Sequence, residues 1–332
     1  MKKVLKVIGY FLLVVVLLVT GMLVYIKAAL PNVGPAPILK VDNSPARVDR
    51  GKYLATSVTV CVDCHSTRDW SKFLAPVTEG TLGKGGEKFD QKEGFPGTFY
   101  SKNITPAGIS RYTDGELYRL ITTGVTKEGR AMFPVMPYHY YSRMDPEDIK
   151  CIIAYIRTFP RIENQVTESV SDFPMNFIIN TIPEKAKPQK LPAKSDLLAY
   201  GAYMTNASAC IECHTQVNKG QIIEELSFGG GREFTLPDGS VVRSANITPD
   251  MKTGLGSWTE DQFVSRFKLY ADTGFKPQTV KPGEFNSIMP WLMYSKMNKE
   301  DLAAIYAFLK QIKPIKNSVI KFTPGTNLTT SK

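Results

Sequence analysis

The sequence predicts a membrane-anchored protein built from two tandem copies of one helical domain. Three observations support this prediction: an uncharged apolar run near the N-terminus, a cysteine–histidine motif that occurs twice, and shorter segments that recur in the same order after each motif. The 332 residues are enough for about two domains. The composition is ordinary for a globular protein and excludes a disordered or fibrous chain.

Residues 1–30 are predicted to form a transmembrane anchor. Residues 7–26 carry no charge and make an apolar run of 20, long enough to span a bilayer. Lys2, Lys3 and Lys6 precede the run, and the positive-inside rule therefore keeps that end in the cytoplasm and exports the rest. A cleaved signal peptide is the alternative, but the run is longer than a usual h-region and no clear A-x-A site follows.

Residues 31–46 are rich in proline and are predicted to form a stiff tether. The repeated motif follows it, as Cys61-Val62-Asp63-Cys64-His65 and again as Cys210-Ile211-Glu212-Cys213-His214. C-x-x-C-H is the attachment signature of c-type haem. Two intervening residues place the thiols about one helical turn apart, which matches the two vinyl groups, and the histidine follows as proximal iron ligand.

A C-x-x-C pair has two other common uses, as half of a zinc site or as a redox-active dithiol. A zinc site does not need a histidine at this position twice, and a redox dithiol is expected in a βαβ pattern that this sequence lacks. The motif therefore predicts two covalently bound haem c groups. Export of the chain agrees with this, because in bacteria c-type haem is attached on the outer side of the cytoplasmic membrane.

The segments around the motifs recur and define two domains, assigned to residues 47–160 and 198–315. The recurring segments are Asn103-Ile104-Thr105-Pro106 with Asn246-Ile247-Thr248-Pro249, the capping boxes Thr113–Glu116 and Thr259–Gln262, and Met136-Pro137 with Met289-Pro290. Each unit closes with an amphipathic helix, which begins at Asp145 in the first and at Asn298 in the second.

The remaining segments are predicted to be a linker and a tail, and the tail shows no visible chemistry. Residues 161–197 are irregular and proline-rich and are assigned as a linker, in which Phe173, Phe177 and Ile178 are candidates for packing across both domains. Residues 316–332 are assigned as a polar tail.

The sixth iron ligands are predicted to be Met136 and Met289, each nine residues before the cap of its closing helix. Methionine is a common ligand of low-spin haem, and the proline that follows restricts the loop. His139 is the alternative on the first iron, although its counterpart in the second unit is Leu292. Met144 and Met297 also recur, but directly before the caps, where they are expected to pack onto the helix.

The predicted haem-binding residues are Cys61, Cys64, His65, Met136, Cys210, Cys213, His214 and Met289. Cys151, the fifth cysteine, lies in an apolar helix pattern and is expected to be a small buried residue. The net charge of +10 would suit an acidic redox partner or anionic lipid, or simply give solubility. No basic helix or aromatic-interleaved patch points to nucleic acid.

From about Gly51 to Lys313 the chain resembles the di- and tri-haem cytochrome c subunits of bacterial membrane-bound alcohol, aldose and gluconate dehydrogenases. The resemblance is carried by C-V-D-C-H, C-I-E-C-H, the doubled N-I-T-P, the acidic-start helix of the first unit and the stretch T-T-G-V-T-K-E-G-R-A-M-F-P-V-M-P-Y before it. It implies an all-α fold of two tandem class I cytochrome c domains after the N-terminal transmembrane helix. Such subunits often carry three motifs, whereas this chain has two.

The resemblance implies electron transfer. The expected protein is a di-haem cytochrome c on the periplasmic side of a bacterial cytoplasmic membrane, with a single N-terminal anchor and no substrate chemistry of its own. Its expected partners are the lipid bilayer, a dehydrogenase or respiratory complex as donor, and a terminal oxidase or another cytochrome as acceptor. The alternative is a di-haem peroxidase or thiosulfate-oxidising cytochrome, which needs an open or labile iron position; a methionine in each unit argues against it.

Overall fold

A long apolar helix precedes two halves that share one plan in the computed structural model, which describes residues 1–271 and 274–325. This helix, α1, spans Lys2–Ala29. Of the helices in the described ranges, it is the one long and apolar enough to cross a membrane by length and composition. Its central side chains pack against no other part of the protein, as expected for a helix that meets lipid.

The helices that follow occur in the same order in the two halves, except that one short helix of the first half, at Pro106–Ile109, has no counterpart among the described residues of the second. In the first half they are α2 (Pro45–Tyr53), α3 (Cys61–Cys64), α4 (Pro106–Ile109), α5 (Asp114–Thr123), α6 (Tyr138–Tyr141) and α7 (Pro146–Ile156). The connecting segment holds α8 (Met175–Ile178). In the second half they are α9 (Leu197–Ala207), α10 (Cys210–Cys213), α11 (Glu260–Lys268), α12 (Trp291–Tyr294) and α13 (Lys299–Leu309).

The first and last helices of each half cross at a glycine. A Cβ on Gly51 of α2 would lie 1.8 Å from the carbonyl oxygen of Cys151, and one on Gly201 of α9 would lie 2.0 Å from that of Ala304. Only a residue without a side chain permits this approach. Cys151 is buried, as predicted, and its small side chain occupies the position of Ala304 at the second crossing.

A π-helical turn at Leu54–Val58 compensates for a difference in length between the halves. One residue more separates Gly51 from Cys61 than separates Gly201 from Cys210. A π-turn accommodates one extra residue within a helix. The attachment motif therefore follows the helix crossing in a similar way in both halves.

The four predicted helix starts are confirmed, three of them by side-chain capping bonds, whereas Asn298 begins its helix without one. Thr113 Oγ1 accepts a hydrogen bond from the Glu116 amide (3.2 Å), and the Glu116 carboxylate accepts one from the Thr113 amide (2.8 Å). Thr259 and Gln262 make the same pair of bonds at 3.2 and 2.9 Å. Asp145 caps α7 by accepting a hydrogen bond from the Glu147 amide.

The all-α expectation misses three small antiparallel sheets in the loops. Their strands are β1 (Lys88–Phe89), β2 (Gly97–Tyr100), β3 (Val170–Ser171), β4 (Val217–Asn218), β5 (Gln221–Ile222), β6 (Glu233–Thr235), β7 (Val241–Arg243) and β8 (Phe322–Thr323), paired as β1-β2-β3, β4-β5 and β6-β7-β8. Strands of two to four residues are too short for an alternating hydrophobic pattern to be recognised in the sequence. The helices still provide the core.

The tether, linker and tail all pack against the halves. In the tether the Val41 amide donates to Asp114 Oδ2 (2.8 Å), β3 of the linker extends the first sheet, and β8 of the tail extends the third. The part of the predicted tail from residue 326 onward lies outside the described residues. Packing across both domains by the linker aromatics is wrong: Phe173 is 81% exposed, and Phe177 lies beside Lys27 of α1, 4.9 Å from its ammonium.

The two halves are joined by a reciprocal exchange of tyrosine hydroxyls. Tyr53 of the first half donates to Asp301 Oδ2 (2.5 Å), and Tyr203 of the second donates to Asp148 Oδ2 (2.7 Å). Both carboxylates are buried. Burial first, and then the neighbouring carboxylate in each case, raises the pKa of both tyrosines far above the usual range, so both hydroxyls remain donors.

Each of these tyrosines also satisfies the start of a helix in the opposite half. Tyr53 Oη accepts a hydrogen bond from the Asn298 amide, and Tyr203 Oη accepts one from the Asp145 amide, both at 3.1 Å. Asn298 and Asp145 are the N-caps of α13 and α7. The buried apolar residues of both halves form one continuous cluster behind these contacts, so the interface is part of the core.

We predict that the double variant Tyr53→Phe/Tyr203→Phe unfolds in two separated transitions. Each substitution removes one hydrogen-bond donor from a buried carboxylate, which costs about 1–3 kcal/mol. Because both hydrogen bonds join the two halves, the substitutions weaken the interface between them. Chemical denaturation followed by tryptophan fluorescence measures this. Tyr306→Phe removes a 2.6 Å bond to the Trp258 carbonyl within the second half, and is expected to lower stability without separating the halves. A double variant that unfolds like the parent protein would contradict the role given to the interface.

Candidate functional site

Both cysteine motifs form one helical turn entered through a left-handed residue. Val60 before α3 and Ala209 before α10 have φ of 46° and 48°. The amides of His65 and His214 donate to the carbonyls of Cys61 and Cys210, both at 3.0 Å, which closes the turn in each motif. All five cysteines lie in the described residues and are free thiols, so the motif cysteines are not used in disulfides.

Each motif histidine is held by a backbone carbonyl. His65 Nδ1 lies 2.6 Å from the Lys102 carbonyl oxygen, and His214 Nδ1 lies 2.7 Å from that of Ala245. A carbonyl can only accept, so Nδ1 carries the proton and Nε2 keeps its lone pair. Burial lowers the pKa of both imidazoles, which favours the neutral form. A neutral histidine fixed through Nδ1 is the arrangement in which Nε2 binds a metal.

The repeated N-I-T-P segments position these carbonyls. Asn103 Oδ1 accepts hydrogen bonds from the amide and hydroxyl of Thr105 at 2.9 and 2.7 Å, and Asn246 makes the same two bonds to Thr248. Asn and Thr thus satisfy backbone and hydroxyl groups within the turn, as the sequence predicts. Because Lys102 immediately precedes Asn103, this turn also fixes the carbonyl that orients the first histidine.

The two candidate methionines lie in identical turns. The Tyr138 amide donates to the Met136 carbonyl and the Trp291 amide to the Met289 carbonyl, both at 2.7 Å across one residue. The proline between them has φ −78° and ψ 56° in the first loop and φ −75° and ψ 59° in the second. These angles are those of an inverse γ-turn. The chain therefore presents both methionines in the same way, directly before the short helices α6 and α12.

One cavity of about 3430 Å³ brings the predicted residues together. It is lined by all four motif cysteines, both motif histidines and both methionines: Cys61, Cys64, His65, Met136, Cys210, Cys213, His214 and Met289. Pockets for one small ligand usually measure about 300–1,000 Å³, so this cavity is large enough for more than one such group. Thiols, an imidazole with a free Nε2 and a thioether fit the donor set of haem c.

The zinc interpretation of the motifs gains no support from the structure. Within residues 1–271 and 274–325, no group of three or more His, Cys, Asp or Glu side chains is arranged to hold a metal ion. A structural zinc site needs four such ligands around one point. The two cysteines and one histidine of each motif therefore lack the additional protein ligands that zinc would require.

His139, the alternative ligand of the first iron, is directed toward the second motif. Its Nε2 lies 3.6 Å from Glu212 Oε2, and its side chain is 46% exposed. The ring also packs on Tyr140, with 4.2 Å between centroids. The imidazole nitrogen of His139 therefore already faces a carboxylate.

The acidic residue inside each motif is paired with an arginine, a feature that the sequence analysis missed. Arg68 lies 3.4 Å from Asp63 and 2.7 Å from Glu87, and its guanidinium stacks 4.4 Å from the Trp70 ring. Burial raises the pKa of Asp63, and Arg68 opposes that shift. Because Asp63, Glu87 and Arg68 are all largely withdrawn from water, each carboxylate depends on this cation.

In the second motif Arg232 lies 2.7 Å from Glu212. Burial would raise the pKa of Glu212, but the neighbouring His139 and the hydrogen bonds from Arg232 and Tyr140 prevail and hold it at about 2. The two arginines follow their acidic residues at different distances along the chain, so the repeat gives no signal for them. Tyr140 donates to Glu212 at 3.0 Å, which links the loop after Met136 to the second motif.

Sequence comparison finds cytochrome c subunits among curated proteins. The chain is 27% identical over 299 residues to the alcohol dehydrogenase (quinone), cytochrome c subunit, of Gluconacetobacter polyoxogenes, covering 85% of this chain and 59% of that protein. It is 27% identical over 283 residues to the gluconate 2-dehydrogenase cytochrome c subunit of Pantoea cypripedii, covering 80% and 60%. It is 25% identical over 265 residues to a diheme cytochrome c-type protein of Cereibacter sphaeroides, covering 77% and 82%.

The comparisons confirm the resemblance inferred from the motifs. The chain spans about three fifths of the length of the two dehydrogenase subunits. No family model matches the sequence. The curated relatives are cytochromes c, which carry covalently bound haem c, and the free thiols of both motifs agree with such attachment.

We predict that Arg68→Met destabilises the protein by about 3–5 kcal/mol, because it leaves two buried carboxylates without their cation. Guanidinium denaturation of the purified protein measures the change. Arg161→Met is the matched control, since Arg161 is 59% exposed and pairs with the exposed Glu163; its effect is expected to stay below about 1 kcal/mol. Equal stabilities for the two variants would show that Arg68 does not compensate the motif carboxylates.

Proposed function

We propose that this protein is a membrane-anchored di-haem cytochrome c that carries electrons and has no substrate chemistry of its own. The observation that carries the proposal is the matched pair of sites. In each half a histidine fixed by a carbonyl and a methionine in an inverse γ-turn line the cavity beside two free thiols. The two units are proposed to be class I cytochrome c domains at residues 47–160 and 198–315.

The residues of each unit have distinct proposed roles. When bound, haem c supplies a one-electron couple at its iron. Cys61 and Cys64 hold the first group as thioethers, His65 presents Nε2 as proximal ligand, and Met136 supplies the sulfur of the sixth position. His/Met ligation gives a higher potential than two histidines would, which suits the acceptance of electrons from a dehydrogenase.

The second unit is proposed to use Cys210, Cys213, His214 and Met289 in the same roles. Its histidine and methionine make the same local hydrogen bonds as those of the first unit, so the proposed ligands give no reason for the two haems to differ in potential. The polar surroundings differ instead. Glu212 is ionised and held by Arg232, whereas burial raises the pKa of Asp63. These charges are expected to give the two units different potentials.

The proposed location follows from α1 and from the charges before it. Lys2, Lys3 and Lys6 support an N-terminus in the cytoplasm by the positive-inside rule, and the two units are therefore proposed to lie on the periplasmic side of a bacterial cytoplasmic membrane. The relatives are named as dehydrogenase cytochrome subunits. A periplasmic-side dehydrogenase is therefore the proposed donor, and a terminal oxidase or another cytochrome the proposed acceptor.

We predict that Met136→Ala keeps the first haem covalently attached but removes its sulfur ligand. The expected result is loss of about half of the far-red sulfur-to-iron absorption and a lowered potential for one of two redox centres. Potentiometric titration followed by absorbance measures both, and Met289→Ala should give the complementary change. His139→Leu, which copies the second unit, is the control and should preserve the band. An unchanged band in Met136→Ala, together with a high-spin first haem in His139→Leu, would assign the first iron to histidine instead.

We predict that Cys213→Ala lowers the pyridine haemochrome yield to about one haem per chain, because only the second motif loses a thiol. Cys151→Ala is the control and should retain two, since Cys151 lies outside both motifs and its counterpart at the second crossing is already alanine. Two haems per chain in Cys213→Ala would show that this motif is not an attachment site. A wild-type protein whose iron is high-spin and binds peroxide stoichiometrically would favour the di-haem enzyme.

A further inference from the structure

The connecting segment meets the membrane helix at the point where that helix leaves the hydrocarbon. Lys27 ends the apolar run of α1, and its ammonium donates to the Asn176 carbonyl at 2.7 Å. The same ammonium lies 4.9 Å from the centre of the Phe177 ring. A lysine next to an apolar transmembrane run normally lies at the level of the lipid headgroups. Its two partners therefore lie at that depth as well.

The segment around these partners, residues 173–182, exposes large apolar side chains. Phe173 is 81% exposed, more than Phe11 within the membrane helix itself (67%), and Ile178 is 43% exposed. Phe173 and Phe177 also contact each other edge to face, with 6.4 Å between centroids. A phenylalanine exposed to this extent beside a transmembrane helix indicates a partner that is apolar.

The charges that follow this segment fit the same partner. Lys185, Lys187 and Lys190 are exposed, and no acidic residue lies within residues 173–182. Glu184 also follows the segment and is paired with Lys187 at 2.5 Å. Apolar side chains combined with nearby lysines are typical of segments that lie in the headgroup region, since they meet acyl chains and anionic lipid together.

We propose that residues 173–182 are a second membrane contact, in which Phe173 and Ile178 enter the boundary between headgroups and acyl chains beside α1. The occupant of this apolar surface is the lipid bilayer, because the surface is continuous with a helix that spans it. The inference rests on the proposed anchoring by α1 and goes beyond it, since a single helix would leave the exported part free to rotate about its end.

The contact orients the first unit toward the membrane. Directly before the segment, β3 pairs with β2 of the first half, and after it the Lys187 amide donates to the Ser142 carbonyl at 3.1 Å. Ser142 is the residue that ends α6, the short helix after Met136. Both ends of the segment are thus attached to the first half, so that unit, and not the second, is held against the bilayer.

The test uses nitroxide labels on the full chain in nanodiscs that contain phosphatidylcholine and phosphatidylglycerol and one protein each. The background is Cys151→Ala, so that a single added cysteine takes the label. Three sites are compared: Phe173→Cys, Val14→Cys in the apolar run of α1, and Glu260→Cys at the exposed start of α11. Power-saturation EPR then measures collisions with oxygen, which concentrates in lipid, and with a water-soluble nickel chelate.

The label at position 173 is expected to collide several-fold more with oxygen than with the nickel chelate, as at position 14, while position 260 shows the reverse preference. A lipid-exposed position 14 with a position 173 that prefers nickel overturns the second contact and leaves the anchor intact. Low collision with both reagents at position 173 means a protein surface covers it, which also overturns the proposal. Nickel preference at position 14 removes the anchor and this inference together.

Discussion

The bond from each motif histidine to a backbone carbonyl is the constraint on which both sites depend. A cysteine motif alone fixes where a haem can be attached, but not which imidazole nitrogen faces the iron. The Lys102 and Ala245 carbonyls decide this, because each accepts the Nδ1 proton and leaves Nε2 as a ligand. These carbonyls precede asparagines whose side chains close the neighbouring turn. The orientation and tautomer of each motif histidine are therefore set by the backbone at the start of the N-I-T-P loop.

The two halves are similar in their ligand loops and different in the polar groups around them. Both place methionine in a proline-centred turn, and both cross their first and last helices at a glycine. They differ at the acidic residue between the cysteines, since Glu212 receives bonds from Tyr140 of the first half, whereas Asp63 is compensated within its own half. A shared core and two exchanged tyrosines hold these unequal surroundings in a fixed arrangement.

Much of this organisation can be predicted from the sequence because it repeats. The helix caps at Thr113 and Thr259 and the burial of Cys151 were correctly predicted from local patterns. The strands were missed because they are too short for a periodic signal. The carbonyl partners of the histidines and the arginine partners of the motif carboxylates could not be found by residue type, since the first are backbone atoms and the second occur at unequal spacing. The position of Phe173 was mispredicted because an apolar residue in a linker has the same sequence signal whether it packs between domains or lies exposed beside a membrane helix.

In the proposed function each chain holds two irons, each between a histidine and a methionine. Near-infrared magnetic circular dichroism of the oxidised full-length protein, with iron determined on the same sample, tests it most directly, because His/Met and bis-histidine haems absorb at distinct energies. We expect two irons per chain and a His/Met signal that accounts for both. One iron per chain, or a signal from a bis-histidine or high-spin centre, would contradict it.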